Sequence, residues 1–261
     1  MTKVRRLGIV VVAIAVAAFP MTLGIAWLRV AVDGSTPSKV IGTVAHGRID
    51  HAHAIPPWGP GYVTYSFIGS ALGRQYVDGR VRDTLLAAVS IRSNAEDGRR
   101  FVMGETGWPW GGRFRPHRSH QNGMAVDVFI PVETKTGETT TLSTWPWNKF
   151  GYGLEFDERG EMGDLRIQFE SVAAFILEVD AQARQRGLRI GRVIITPEFV
   201  PLLLETPSGH RLGTLSDRIT RKPVWVRHDE HFHIDFEDAA APPSGEPSQR
   251  GLQPLAQPSP G

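Results

Sequence analysis

The chain has 261 residues, 41% hydrophobic and 21% charged, the balance of a globular protein that buries a core. It contains no cysteine, which excludes thiol nucleophiles, cysteine-ligated zinc and disulfide frameworks. The net charge of +2 comes from the N-terminus, where Lys3, Arg5, Arg6 and Arg29 stand without an acid and leave 25 basic against 27 acidic residues downstream. The body of the chain is slightly acidic, so no nucleic-acid partner is expected.

Behind the first three basic residues, Leu7–Leu28 is an uncharged run of 22 residues. At about 1.5 Å per residue a helix of that length crosses a bilayer core of roughly 30 Å. Residues 1–29 are therefore expected to be a cytoplasmic stub and an uncleaved transmembrane anchor, with the rest of the chain exported. A cleaved secretory signal is the alternative, although the small-x-small triplets Ala13–Ala15 and Ala15–Ala17 lie inside the apolar run. Residues 30–45 read as a linker, and residues 46–238 as the folded domain. Residues 239–261, with six prolines and few large apolar side chains, read as a disordered tail.

Within the domain, the spacing of Val81, Leu85, Leu86 and Val89 predicts a helix over 81–95, followed by a short strand at 100–103. Residues 124–130 alternate, with Met124, Val126, Val128 and Ile130 on the core face and Asp127 on the other. The polar stretch 133–143 turns at Gly137 as a hairpin or surface loop. Phe169, Val172, Phe175, Ile176 and Val179 place a helix over 168–186, closed by Gly187. A strand is expected at 188–195, a short helix opening with Thr196 as its N-cap, and strands at 224–226 and 231–236. Strands and helices mix without strict alternation. An α+β fold follows, a small central antiparallel sheet with flanking helices behind an N-terminal transmembrane helix.

Nine histidines are unevenly placed. His46, His51, His53 and His210 read as surface or hydrogen-bonded residues. The other five form two clusters, His117-Arg-Ser-His120 and His228-Asp-Glu-His231-Phe-His233. Imidazole and carboxylate donors in a cysteine-free domain suit zinc, which in catalytic sites takes three protein ligands and keeps a position for water. Gly123 allows the turn that brings His120 towards Asp127, and strand alternation sets His231, His233 and Asp235 on one face against Phe232, Ile234 and Phe236. The chain lacks His-Glu-x-x-His, Ser-x-x-Lys and Gly-x-Ser-x-Gly, so helical zinc proteases and serine acyl-enzymes are disfavoured.

The segment Gly107-Trp-Pro-Trp-Gly-Gly-Arg-Phe114, followed by His117-Arg-Ser-His120-Gln-Asn-Gly-Met-Ala-Val-Asp127, resembles the penicillin-insensitive murein endopeptidases. These belong with the lysostaphin-type and D-Ala-D-Ala zinc peptidases. Trp225-Val-Arg-His228-Asp-Glu-His231-Phe-His233 resembles the family's second motif. The resemblance implies a periplasmic zinc endopeptidase that cuts D-alanyl to meso-diaminopimelyl cross-links in peptidoglycan. It implies His120, Asp127 and His233 as zinc ligands, His231 as catalytic base, His228 as a further active-site histidine, and His117 as a contact to a second, weaker metal. Arg113, Trp108 and Trp110 either line the substrate cleft or pack their loop. The chain departs from the best-known members in lacking cysteine and in placing Ala125 where an extra acid is expected. A D,D-carboxypeptidase or dipeptidase of the same group, and a silent wall-binding module, are the alternatives. Some D-Ala-D-Ala peptidases place a glutamate base where Glu230 stands. Regular alternation would turn Glu230 away from the site, which favours His231 as base and leaves Glu230→Gln mostly active.

Overall fold

The computed structural model describes residues 20–96, 98–222 and 227–240. Its main sheet has six strands: β1 (Trp58–Gly59), β2 (Tyr62–Thr64), β3 (Phe101–Met103), β4 (Ala125–Phe129), β5 (Leu188–Ile194) and β6 (His231–Asp238). They lie in the order β5-β6-β4-β3-β2-β1. All neighbours are antiparallel except β2 and β3, which run parallel. The parallel pair arises because the helix α1 (Gly79–Ala95) intervenes between them, the long crossover that parallel pairing requires. The expected single small antiparallel sheet is thus corrected to a larger mixed one. A four-stranded antiparallel sheet (Val132–Thr134, Thr139–Thr140, Glu161–Met162, Leu165–Ile167) and two strand pairs accompany it. The hairpin expected within 133–143 is part of the four-stranded sheet. One strand pair, Lys39–Gly42 with Gly47–Asp50, begins inside the stretch read as linker.

The transmembrane helix is also corrected. Among the described residues no helix is long and apolar enough to cross a membrane, and residues 7–19 of the apolar run lie outside them. Residues 20–31 are helical and pack on the domain: Trp27 meets Trp58 edge to face at 5.0 Å, and Arg29 Nε donates to the Ala71 carbonyl at 2.7 Å. Hydropathy alone did not register that this stretch has protein neighbours. The strand expected at 224–226 lies outside the described residues, as does the expected tail 239–261 beyond Ala240, while the Ala239 amide donates to the Gly187 carbonyl at 2.9 Å.

The core lies between the sheet and two long helices, α1 and α2 (Phe169–Gln185). The helical spacing of Val172, Phe175, Ile176 and Val179 buries one face of α2, and Gly187 at φ +70° ends the helix. Phe175 joins the layers, with its ring 4.7 Å from Phe101 and 6.0 Å from Phe232. Thr196 is not the expected N-cap. The short helix starts later, at Phe199–Leu204, and the Thr196 hydroxyl instead accepts the His228 amide at 3.2 Å. That bond ties the second histidine cluster to the end of β5.

Strand β6 is the central element. Phe232, Ile234 and Phe236 point into the core, while His231, His233 and Asp235 share the other face. Its register on β4 sets His233 opposite Asp127, His231 opposite Phe129 and Asp235 opposite Ala125. Because Phe232 is fully buried directly behind the two histidines, Phe232→Ala is expected to cost about 3–5 kcal/mol. Urea unfolding with a fixed m-value measures this, and a loss below about 1 kcal/mol would show that the β6 core face does not hold the fold as described.

Candidate metal centre

Asp127 enters the site from the middle of β4, fully buried. An isolated carboxylate there would be strongly disfavoured, so its partners decide whether the site can exist. Oδ1 lies 2.8 Å from His233 Nδ1 and 3.3 Å from His120 Nε2. Oδ2 accepts the Tyr152 hydroxyl at 3.1 Å and faces His117 Nδ1 and His231 Nε2, each at 3.7 Å. Four imidazoles therefore surround one carboxylate. Burial pushes the Asp127 carboxyl up, but the neighbouring histidines, His120 first, outweigh it and hold it well below the usual range.

The approach of His120 depends on an unusual backbone. His120 itself adopts φ +66°, a left-handed conformation that a non-glycine residue rarely keeps without compensation. Gly123, at φ +75°, completes the turn. A Cβ at that position would sit 2.6 Å from Ile49 Cδ1 and 2.9 Å from the Asp78 amide nitrogen, so only glycine fits. The turn buries the His120 ring completely. Its Nδ1 lies 3.1 Å from the Thr106 carbonyl and 3.2 Å from that of Ala125. Both oxygens can only accept, so Nδ1 carries the proton and Nε2 keeps its lone pair. That buried Nε2 has no hydrogen-bond partner.

His231 repeats the pattern. Its Nδ1 pairs with Glu230 Oε1 at 2.9 Å, and its buried Nε2 has no hydrogen-bond partner. Burial lowers its pKa, but the charge of Asp127 and the Glu230 bond outweigh that and leave it raised. Glu230 does not turn away from the site, as strand alternation predicted. It stands one residue before β6 begins, outside the alternating ladder, and lines the cavity as the partner of His231. His228 sits beside them, its ring 4.7 Å from that of His231.

His233 lies between two carboxylates, with Nδ1 on Asp127 and Nε2 at 2.7 Å from Asp235 Oδ1. Arg192 holds Asp235 in turn, through Nε at 2.8 Å. Burial works to lower the His233 pKa, yet Asp235 and Asp127 together raise it to about 9. Near neutral pH the ring is thus an imidazolium donating both N–H groups.

Four residues at the site were invisible in the sequence. Glu105, just beyond β3, accepts from the Tyr65 hydroxyl at 2.6 Å, from Arg74 through two nitrogens, and from His117 Nε2 at 2.7 Å. Burial opposes its charge, but the Arg74 and His117 bonds hold its carboxyl at about 2. Tyr152 bridges Asp127 and the Glu105 amide, which it accepts at 2.8 Å. None of these contacts follows a short sequence spacing. Of the residues proposed for substrate, Trp108 lies behind the cavity wall, 5.0 Å from the Arg74 guanidinium and stacked on Trp110, whereas Trp110 and Arg113 are exposed. His46, His51 and His210 are exposed, and buried His53 is bonded to Asp33 and the Thr36 carbonyl.

The cavity above these residues has a volume of about 720 Å³, and His117, His228, Glu230, His231 and His233 form its floor. The donor atoms of His117, His120 and Asp127 all lie within 4.8 Å of one another, and His233 Nδ1 adds a fourth donor at the same carboxylate. This is a donor set for a divalent metal: a buried carboxylate, an orphaned imidazole lone pair, and a ring held in place by an outer carboxylate. Metal binding through His233 Nδ1 must displace its proton. Calorimetric titration of divalent metal at pH 7.5, in buffers of different ionisation enthalpy, should report about one proton released per metal. The release should fall towards zero as pH rises through about 9, where the ring is already neutral. Proton uptake at pH 7.5 would contradict this arrangement.

A family profile described as penicillin-insensitive murein endopeptidase matches residues 40–251 of the chain. Curated relatives bearing that name include one from Haemophilus influenzae, 28% identical over 196 residues that cover 74% of this chain and 62% of the relative. One from Escherichia coli K12 is 26% identical over 162 residues, 58% of this chain and 54% of the relative. One from Shigella boydii is 26% identical over 171 residues, 61% and 57%. The chain thus spans less than two thirds of the length of these relatives.

Proposed function

We propose that this chain, which belongs to the penicillin-insensitive murein endopeptidase family, is a zinc endopeptidase that hydrolyses D-alanyl to meso-diaminopimelyl cross-links of peptidoglycan. The observation that carries the reading is the buried Asp127 carboxylate ringed by imidazoles, with the unpartnered His120 Nε2 beside it, behind the His117, His231 and His233 side chains that line the cavity. Curated relatives carry the name of that activity, which supports the substrate class. Peptidoglycan lies outside the cytoplasmic membrane, so the domain works in the periplasm.

The nitrogen and oxygen donors suit zinc. His120 through Nε2, Asp127, and His233 through Nδ1 would hold it, and His117, facing the other oxygen of Asp127, is assigned to a second, weaker metal. Bound zinc supplies Lewis acidity, polarising the scissile carbonyl and acidifying the attacking water. The protein's own groups move the proton. His231, its Nδ1 held by Glu230, offers Nε2 as general base to that water and returns the proton to the leaving amine. His228, alongside, donates to the oxygen that gains charge. The exposed Trp110 and Arg113 contact the peptide strands, and Trp108 acts indirectly by supporting Arg74.

Purified muropeptide dimers test the reading, with products identified by mass. Chelation should abolish cleavage and β-lactams should leave it unchanged. His231→Ala should retain metal but lose turnover by roughly two orders of magnitude or more. Because Glu230 orients His231, Glu230→Gln should lose about tenfold rather than remain active. If dimers stay intact while terminal D-alanine leaves monomeric pentapeptides, the site belongs to a carboxypeptidase instead.

A further inference from the structure

The chain has seven tryptophans, and four of them lie in two Trp-Pro-Trp triplets, Trp108-Pro109-Trp110 and Trp145-Pro146-Trp147. Each triplet folds its indoles into a near-parallel stack. The Trp145 and Trp147 rings lie 5.0 Å apart at an interplanar angle of 7°. This second pair is 54% and 78% exposed, although indoles are normally buried for most of their surface. Stacked on each other, the two exposed tryptophans leave an outer indole face and the ring edges as an apolar plate that the fold itself does not require.

The plate is built into the rim of the site. It opens a 3-10 element, Pro146–Gly151, with Pro146 at its first turn. The chain then reverses through Lys149 and Phe150, both at positive φ, and delivers Lys149, Phe150 and Tyr152 to the cavity over the metal centre. A shallow groove of about 600 Å³ runs along Trp145, Pro146 and Phe150, with the hydroxyl-bearing Ser66 and Thr144 on its walls. Tyr65 and Phe150 line both this groove and the cavity, so the two are neighbours that share a wall.

We propose that Trp145 and Trp147 form a saccharide subsite, on which pyranose rings of the peptidoglycan glycan strand stack while the attached stem peptide reaches the metal centre. The proposal rests on the reading of the chain as a peptidoglycan endopeptidase. A pyranose ring has an apolar C–H face that fits a flat indole and a rim of hydroxyls that needs polar neighbours. The groove offers both: indole and phenyl faces, and hydroxyl side chains between them. The proline between the indoles fixes the backbone at φ near −65°, so little conformational entropy is lost when a ring docks. Among cross-linked peptides, those still carrying their sugars would therefore be held more tightly.

Two measurements test this, with Trp147→Ala and the double variant Trp145→Ala/Trp147→Ala. Both residues are exposed, so the fold should survive, as circular dichroism can verify. The first follows intrinsic fluorescence and heat on titration with a stem-peptide-free oligosaccharide of alternating N-acetylglucosamine and N-acetylmuramic acid. The wild-type chain should bind it saturably, and each variant about tenfold more weakly. The second compares cleavage of one cross-link in two substrates, a disaccharide-bearing muropeptide dimer and the same peptide dimer without sugars. The variants should lower kcat/KM about tenfold on the first and stay within about twofold on the second. No saturable binding by the wild-type chain, or equal effects on both substrates, overturns the subsite. Loss of self-association in the variants, seen by sedimentation without a change in saccharide binding, assigns the plate to a second copy of the chain and also overturns it. If the wild-type chain cleaves neither dimer, the endopeptidase reading fails, and the oligosaccharide titration decides the subsite by itself.

Discussion

A carboxylate with no access to water must find compensation in its immediate neighbours, and the rest of this structure is arranged around that requirement at Asp127. The compensation comes from four imidazoles that belong to three separate parts of the chain. One arrives through a left-handed turn at His120, one through the preceding loop at His117, and two from the neighbouring strand. The register of β6 on β4 does most of the assembly, because it sets His233 directly opposite Asp127. The hydrophobic core enforces the register in turn, since Phe232, Ile234 and Phe236 fill the space behind.

Around the inner ring is an outer one made of groups that fix ring orientation. The Thr106 and Ala125 carbonyls hold His120, Asp235 holds His233, Glu230 holds His231, and Glu105 holds His117. Each outer group is an acceptor that receives the N–H hydrogen bond of one ring nitrogen. For His120, His231 and His117 the other nitrogen is left facing Asp127. Several of the outer groups are themselves anchored, Asp235 by Arg192 and Glu105 by Arg74 and Tyr65. The imidazoles thus have little freedom to rotate, which is what a metal centre needs from its supporting residues.

How much of this was legible in the sequence varies with how local the physics is. Alternation along residues 124–130 and 231–236 placed Asp127, His231, His233 and Asp235 on polar faces opposite apolar ones, because a strand's period depends only on its own backbone. The same rule misjudged Glu230, which stands just outside the strand, where the period no longer applies. Glu105, Arg74, Tyr65 and Tyr152 left no trace, since their contacts join residues from 12 to 47 positions apart with no recurring spacing. The parallel pairing of β2 with β3 was likewise hidden, being a property of the crossover through α1. At the N-terminus an apolar run was read as lipid-facing, whereas its described part rests on Trp58 and Ala71. Hydropathy reports what a segment avoids and not what it touches.

The pairing of β4 with β6 also bears on how this chain can change over evolutionary time. Successive side chains in a strand face opposite ways, so inserting or deleting one residue within 125–129 or 231–236 would exchange the contents of core and site. Phenylalanines would enter the metal centre while histidines entered the apolar interior, and both would be lost in one event. On the other side of β6 the constraint is looser. There the pairing with β5 already shifts between Ile190 and Arg192, and the intervening Gly191 takes up the extra residue. Length variation should therefore accumulate at the β5 edge and in the surface loops, while the two strands that carry the ligands keep an invariant count even where their residue identities drift.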